Sequence, residues 1–274
     1  MTIFQSFLLG IIQGLTEFIP VSSTAHLLIA EHFLGLPADT SVYASNVLFA
    51  FDVLIQLGTL LALIVYFWRD LIELIVAFFA KPFSTPQNRL AWYIIIATIP
   101  ALVAGFLLKA AVEALFRTPL VEAAIRLFSA AILLALAEVF GRRNRQLGSM
   151  NWLDALVVGL FQVLAVFPGA SRSGTTIPGG MFRGFDRPSA ARFAFLMAVP
   201  VMLAAGGYES LDVIKMHVLG TFLPLIAVGF IMAAIVGWLA IRWLLNYLNR
   251  HSLYVFAGYC AIVGALCLFL QFVR

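Results

Sequence analysis

Apolar residues run along this chain in long blocks, each closed by a short polar or basic stretch. Crossing about 30 Å of hydrocarbon takes roughly 20 mostly apolar residues in a helix. Six blocks meet that need, at about 47–68, 90–109, 120–140, 193–211, 218–245 and 253–273. The stretch 70–80, DLIELIVAFFA, is too short to cross and predicts a helix lying at the interface. Two further apolar stretches are interrupted, 3–35 at FIPVSST and 152–182 at FPGASRSGTT. Only about 15–17 helical residues precede each break, roughly 25 Å at 1.5 Å per residue. Each is either a helix that dips in and returns, or one kinked span.

Basic residues discriminate between these for 152–182, because Lys and Arg collect in cytoplasmic loops. If the segment returns to the side it entered, one face holds Arg69, Lys81, Arg89, Arg142, Arg143, Arg145, Arg183, Arg187, Arg192, Arg242 and Arg250. The other holds Lys109, Arg117, Lys215 and Arg274, a split of 11 to 4. If the segment crosses, the later residues change sides and the split becomes 8 to 7. The returning arrangement is favoured, and the N-terminus then faces outward provided that 3–35 also returns.

Composition agrees. Of the 274 residues, 63% are hydrophobic and 11% charged, with a mean hydropathy of +1.03; soluble domains carry about 25% charged residues. The chain reads as an integral membrane protein. A secretory signal needs a basic n-region, and the first Lys or Arg here is Arg69, so the N-terminus is expected to stay in the mature protein. The net charge of +4 follows from topology and does not point to nucleic acid. Cys260 and Cys267, seven apart in the last block, predict neither a disulfide nor a metal site.

A shift of 149 residues lays GIIQGLTEFIPVSST (10–24) on GLFQVLAVFPGASRS (159–173). Gly10 meets Gly159, Gln13 meets Gln162, Leu15 meets Leu164, Phe18 meets Phe167 and Ser22 meets Ser171. Each half is then one interrupted stretch followed by three spans, so the two hairpins enter from opposite faces. The expected fold is an all-α polytopic membrane protein: six transmembrane helices plus two re-entrant helical hairpins in an inverted-topology repeat. It forms a single membrane domain, 1–274, with repeats at about 1–150 and 151–274. Such repeats place broken helices and their binding site near the midplane, and non-helical backbone survives at that depth only where protein or water satisfies it.

The residues at the two breaks are those of a phosphate chemistry. Gln13 and Glu17, four apart, share a helix face; Ser22, Ser23 and Thr24 form the first break, and His26 follows. Opposite them stand Ser171, Arg172, Ser173, Gly174, Thr175 and Thr176. An arginine within a membrane marks a partner or a substrate, and a guanidinium amid hydroxyls at a helix N-terminus suits phosphate. A carboxylate and an imidazole beside hydroxyls can activate a nucleophile or protonate a leaving group. The blander readings are an ion pair of Glu17 with Arg172 that joins the halves, a core histidine at 26, and Ser/Thr residues that only cap helices. Asp52, Gln56 and Glu138 are read as cavity-lining or interhelical groups, Glu122 and Arg126 as a pair, and His32, His217 and His251 as interfacial.

With those residues in view, the chain resembles the undecaprenyl-diphosphatase, or bacitracin-resistance, family. The resemblance is carried by QGLTEFIPVSSTAH (13–26) and PGASRSGTT (168–176), with FDVLIQLG (51–58) and FLMAVP (195–200) in support. It implies hydrolysis of a C55 isoprenyl diphosphate to the monophosphate and phosphate, which recycles the carrier lipid of the bacterial cell wall. It implies six spans, two re-entrant hairpins and a site open to the outer side of the cytoplasmic membrane. The family's functional positions fall on Gln13, Glu17, Ser23, His26, Arg172, Ser173 and Thr176. Many members carry Glu where this chain has Gln13, which moves the carboxylate role onto Glu17.

The catalytic set expected from the motifs is Glu17, Ser23, His26 and Arg172, with Ser23 attacking the terminal phosphorus and Glu17 or His26 taking its proton. Gln13, Thr24, Ser171, Ser173, Gly174 and Thr176 are expected to hold phosphate. A divalent cation, Mg2+ or Ca2+, is implied by the resemblance, with Glu17 as its one carboxylate ligand. The expected partners are the isoprenyl diphosphate and membrane lipids, without nucleic acid, and a homodimer is compatible with the sequence. The alternative is a lipid-phosphate transporter that uses the same inverted-repeat cavity. The other class of membrane lipid phosphatase needs a PSGH motif, and this chain has none.

Overall fold

The structure, a computed structural model, describes residues 1–36, 42–80, 83–113, 119–165, 171–215 and 219–273. Among the positions singled out above, Lys81, Arg117, residues 167–170, His217 and Arg274 lie outside the described residues, as does the side chain of Lys109. Among the described residues there is no strand, and six helices are long and apolar enough to cross a membrane. They are α3 (Val42–Tyr66), α5 (Pro86–Glu113), α6 (Pro119–Phe140), α9 (Arg187–Lys215), α10 (Leu219–Leu248) and α11 (Tyr254–Val273). These are the six expected blocks, with α9 starting six residues earlier than its apolar run. The chain is a multi-pass membrane protein. Large apolar side chains such as Phe106 and Phe272, each 82% exposed, are what a lipid-facing surface requires. The short α4 (Trp68–Phe78) takes up the expected interfacial segment.

The two interrupted stretches form paired short helices, α1 (Ile3–Phe18) with α2 (Ser23–Phe33) and α7 (Trp152–Leu164) with α8 (Arg172–Phe182). Both pairs fold back on themselves. In the first, the Gln5 amide near the start of α1 donates to the Leu34 carbonyl just after α2, at 3.2 Å. In the second, Arg183, immediately after α8, pairs at 2.7 Å with Asp154 in the first turn of α7. The 149-residue offset carries Ile3 to Trp152, Ser23 to Arg172 and Phe33 to Phe182, so three of the four helix boundaries coincide. Ser22 and Ser171, equivalent under the offset, are both N-caps: Ser22 accepts from the Ala25 amide and Ser171 from the Gly174 amide.

Small residues let these short helices approach the spans closely. A Cβ on Gly10 would lie 2.4 Å from the Gly229 carbonyl oxygen in α10, and one on Gly159 would lie 2.4 Å from that of Ala97 in α5. On the other side, α6 presents a buried row of alanines, Ala123, Ala124, Ala130, Ala131 and Ala137, against which α2, α8 and α11 pack. Without a hydrophobic driving force in lipid, such small-residue contacts are what hold helices together. Just below the first break Phe18 meets Phe195 of α9 edge-on at 5.5 Å.

Two buried carboxylates tie the Arg-rich end. Glu138 of α6 accepts from Arg143, from Arg187 of α9 and from the Leu253 amide. Asp154 accepts from Arg145 and Arg183. Burial pushes the Asp154 carboxyl up, but the two guanidinium groups and the Asn151 amide outweigh it and hold the group below its ordinary range. Four of the eleven basic residues on that face are therefore structural ties. Glu138 bonds between helices, as one of its two readings had it, and Glu122 and Arg126 pair at 2.7 Å.

Candidate functional site

The tips of the two hairpins meet. Glu17 sits in the last turn of α1 and Arg172 is the first residue of α8. The Arg172 Nη2 donates to Glu17 Oε1 at 2.6 Å, a contact spanning 155 residues of sequence. The second oxygen, Oε2, accepts from Gln13 Nε2 at 2.8 Å and from the Ser23 hydroxyl at 2.7 Å. A second bridge joins the tips, where Ser173 Oγ donates to the Ile19 carbonyl at 3.3 Å.

Local backbone places these groups. Four residues, 19–22, separate α1 from α2, and Ser22 turns the chain with φ of +69°, in the left-handed region that a non-glycine residue rarely enters. That turn sets Ser23 at the N-terminus of α2, six residues from Glu17 and facing it. Gln13 lies one helical turn before Glu17 on the same face. Gln13 and Glu17 are buried, Ser23 is half-buried, and the Arg172 side chain keeps 22% of its surface exposed. Arg172 reaches Glu17 through Nη2 alone among the described residues, which leaves Nη1 and Nε for another acceptor. The cluster is thus closed toward the protein and open through Ser23 and Arg172.

The remaining expected residues divide. Ser171 and Ser173 are buried with their oxygens 3.3 Å apart. The Ser171 hydroxyl also accepts from Gly174 N–H, at 3.2 Å. Thr175 and Thr176 are fully buried or nearly so, and both hydroxyls donate to the Arg172 carbonyl. They brace the turn that carries Arg172, so Thr176 supports the guanidinium from behind. Thr24 is exposed. His26 does not reach Ser23. Its Nδ1 lies 2.8 Å from the Ser22 carbonyl, which makes it the protonated nitrogen, and its Nε2 lies 2.8 Å from Tyr259 Oη, with the two rings stacked at 5.6 Å. Of the two proton acceptors considered for Ser23, Glu17 is the one in contact with it.

Tyr259 was not legible beforehand; a tyrosine in an apolar last span carries no signal of its own. The same holds for Glu31 in α2; its Oε1, like Oδ1 of Asp52 in α3, is buried without a hydrogen-bond partner among the described residues. Gln162, the counterpart of Gln13 in the second hairpin, is buried without a hydrogen-bond partner among the described residues. The two hairpins are alike in backbone and unlike in chemistry.

A family model described as "Bacitracin resistance protein BacA" matches residues 6–266 of the chain. Similar proteins include the undecaprenyl-diphosphatase of Moorella thermoacetica, 42% identical over 266 residues and covering 97% of each chain. That of Thermomicrobium roseum is 40% identical and covers both chains completely. The Syntrophobacter fumaroxidans protein of the same name is 38% identical over 99% of this chain and 98% of its own.

Proposed function

This chain belongs to the BacA bacitracin resistance protein family, and on that premise we propose that it is a membrane hydrolase that cleaves undecaprenyl diphosphate to undecaprenyl phosphate and inorganic phosphate. The observation that carries the reading is the convergence on Glu17 of Ser23 from its own hairpin and Arg172 from the other, at 2.7 and 2.6 Å.

In the reaction, Ser23 Oγ attacks the terminal phosphorus while Glu17 Oε2 takes its proton. The bond from that phosphorus to the bridging oxygen breaks, and the lipid monophosphate leaves with the electron pair. Water then hydrolyses the phosphoserine. Arg172 holds the phosphoryl oxygens through Nη1 and Nε as charge builds on them, the preorganised donors on which phosphoryl transfer depends. Gln13 fixes the Glu17 carboxylate, and Thr175 and Thr176 fix the turn beneath Arg172. With both ring nitrogens bonded, to the Ser22 carbonyl and the Tyr259 hydroxyl, His26 orients the start of α2 and is assigned no proton transfer. The hairpins enter the membrane from opposite faces, and the site opens outward, with the N-terminus, away from the Arg-rich face.

The residues present do not fit a divalent cation held by the protein. Both oxygens of Glu17 are taken by three donors. No group of three or more His, Cys, Asp or Glu side chains stands together among the described residues. No step is assigned to a metal.

The test is phosphate release by the purified protein in detergent, where a transporter has no sealed bilayer to work across. Wild type releases phosphate and, after acid quench with terminally labelled substrate, retains label on Ser23. Ser23→Ala loses both. Turnover near wild type in Ser23→Ala would remove the covalent route and leave direct attack by water.

A further inference from the structure

A second polar hollow, of about 830 Å3, shares no lining residue with the Glu17–Arg172 cluster; Tyr66, Arg192, Arg242, Trp243, Asn246 and Asn249 are among its walls. Tyr66 ends α3, Arg192 lies near the start of α9, Arg242, Trp243 and Asn246 occupy the last turns of α10, and Asn249 follows directly after it. All three positions are near the ends of spanning segments, so the hollow sits where hydrocarbon gives way to headgroups.

Its electrostatics are one-sided. Two arginines line it and no Asp or Glu does. Arg192 is partly neutralised by Asp70 in the adjoining hollow. Arg242 has no carboxylate within ion-pair distance among the described residues; its guanidinium rests 5.7 Å from the centre of the Trp238 ring. An arginine stacked on an aromatic keeps its edge donors free for an oxyanion. The amides of Asn246 and Asn249 and the Tyr66 hydroxyl add neutral donors and acceptors. Leading away from this head, Ile231, Ile235, Leu239 and Trp243 stand four apart on α10, each 49–53% exposed. They form a continuous apolar ridge along the helix.

We infer that the hollow binds the phosphodiester headgroup of an anionic bilayer phospholipid, with its acyl chains lying along the Ile231–Leu239 ridge. The phosphate meets Arg242 and Arg192, and the headgroup hydroxyls meet the asparagine amides. A zwitterionic headgroup would bring an ammonium to a hollow lined by no acid, the adjoining Asp70 being already paired with Arg192. Free phosphate would gain nothing from the ridge.

The experiment is native mass spectrometry of the full-length protein in detergent, titrated with phosphatidylglycerol or phosphatidylcholine of identical chains. Wild type is expected to retain phosphatidylglycerol about fivefold to thirtyfold more strongly, the scale of one or two basic side chains at a membrane surface. Arg242→Gln abolishes the preference and Arg242→Lys keeps most of it. Asn246→Leu weakens it independently should Arg242→Gln fold poorly, and thermal unfolding of each variant establishes that it is folded. Equal retention of the two lipids by wild type overturns the inference. So does a preference that survives in both Arg242→Gln and Asn246→Leu, and so does displacement of phosphatidylglycerol by millimolar inorganic phosphate, which would make this a site for the free anion.

Discussion

Replacing Glu17 by Gln keeps the shape of the side chain and removes its charge. The carboxylate accepts from Arg172 at 2.6 Å, Ser23 at 2.7 Å and Gln13 at 2.8 Å. With the glutamine oxygen at the Oε1 position, the bond from Arg172 is kept. The NH2 group then faces Ser23 and Gln13, and both can adapt, because a hydroxyl can accept and turning the Gln13 amide presents an acceptor. What is lost is the charge on one acceptor: hydrogen bonds to ionised groups contribute about 1.5–3 kcal/mol and neutral ones about 0.5–1.5. Arg172 remains 22% exposed, so water recovers part of the difference. The expected stability loss is about 1–2 kcal/mol. The catalytic loss is larger, since an amide cannot take the Ser23 proton and a general base contributes about 10²–10⁴ in rate, or roughly 3–5 kcal/mol. Single-turnover phosphate release and thermal unfolding on the same detergent samples separate the two effects. A fall of at least about a hundredfold in a variant that unfolds only a few degrees lower agrees with the reasoning. A rate within about threefold of wild type refutes it.

Further outcomes follow from the geometry. Tyr259→Phe keeps the ring stack but removes the 2.8 Å bond to His26 Nε2; kcat/KM should fall about fivefold, the scale of one neutral hydrogen bond, with unfolding unchanged, and no change would detach Tyr259 from the site. Gly10→Ala and Gly159→Ala each place a methyl group 2.4 Å from a facing carbonyl oxygen and should each cost about 1–3 kcal/mol in thermal unfolding. Asp154 has a folded pKa depressed by Arg145 and Arg183, so its stabilisation is present above the unfolded value near about pH 4 and is lost as pH falls through the lower folded value. Asp154→Asn should therefore cost about 2 kcal/mol at neutral pH, below the 3–5 of a fully buried pair because the arginines are 28% and 32% exposed, and should flatten the acid limb of the unfolding profile. Calorimetric titration of Mg2+ or Ca2+ into substrate-free protein should find no site tighter than about 1 mM; a micromolar site abolished by Glu17→Gln would overturn the donor-set argument.

The six spans were legible because length and hydropathy leave few alternatives in lipid. The breaks were legible because residues such as Glu17 and Arg172 have no place facing hydrocarbon, so each had to find a partner; they found each other. The direction of His26 was not. Nothing in SSTAH distinguishes a histidine turned toward Ser23 from one turned toward the last helix, and the deciding group, Tyr259, lies 233 residues away. The role of Thr176 was likewise hidden, since a threonine that touches phosphate and one that bonds back to the carbonyl four residues earlier have the same sequence signature. The arginine ties to Glu138 and Asp154 were counted only as topology signals, because charge counting cannot tell a solvated arginine from one clasping a buried carboxylate.

Ser23 and Arg172 are the same position seen twice, since the 149-residue offset carries one onto the other. Two identical half-molecules assembled face to face would have to place the same amino acid at both, giving two nucleophiles or two cations. A single chain holding both halves escapes that constraint. It can set a hydroxyl on one tip and a guanidinium on the other, and both bond the one carboxylate of Glu17, so the pocket is asymmetric although its two tips correspond in position.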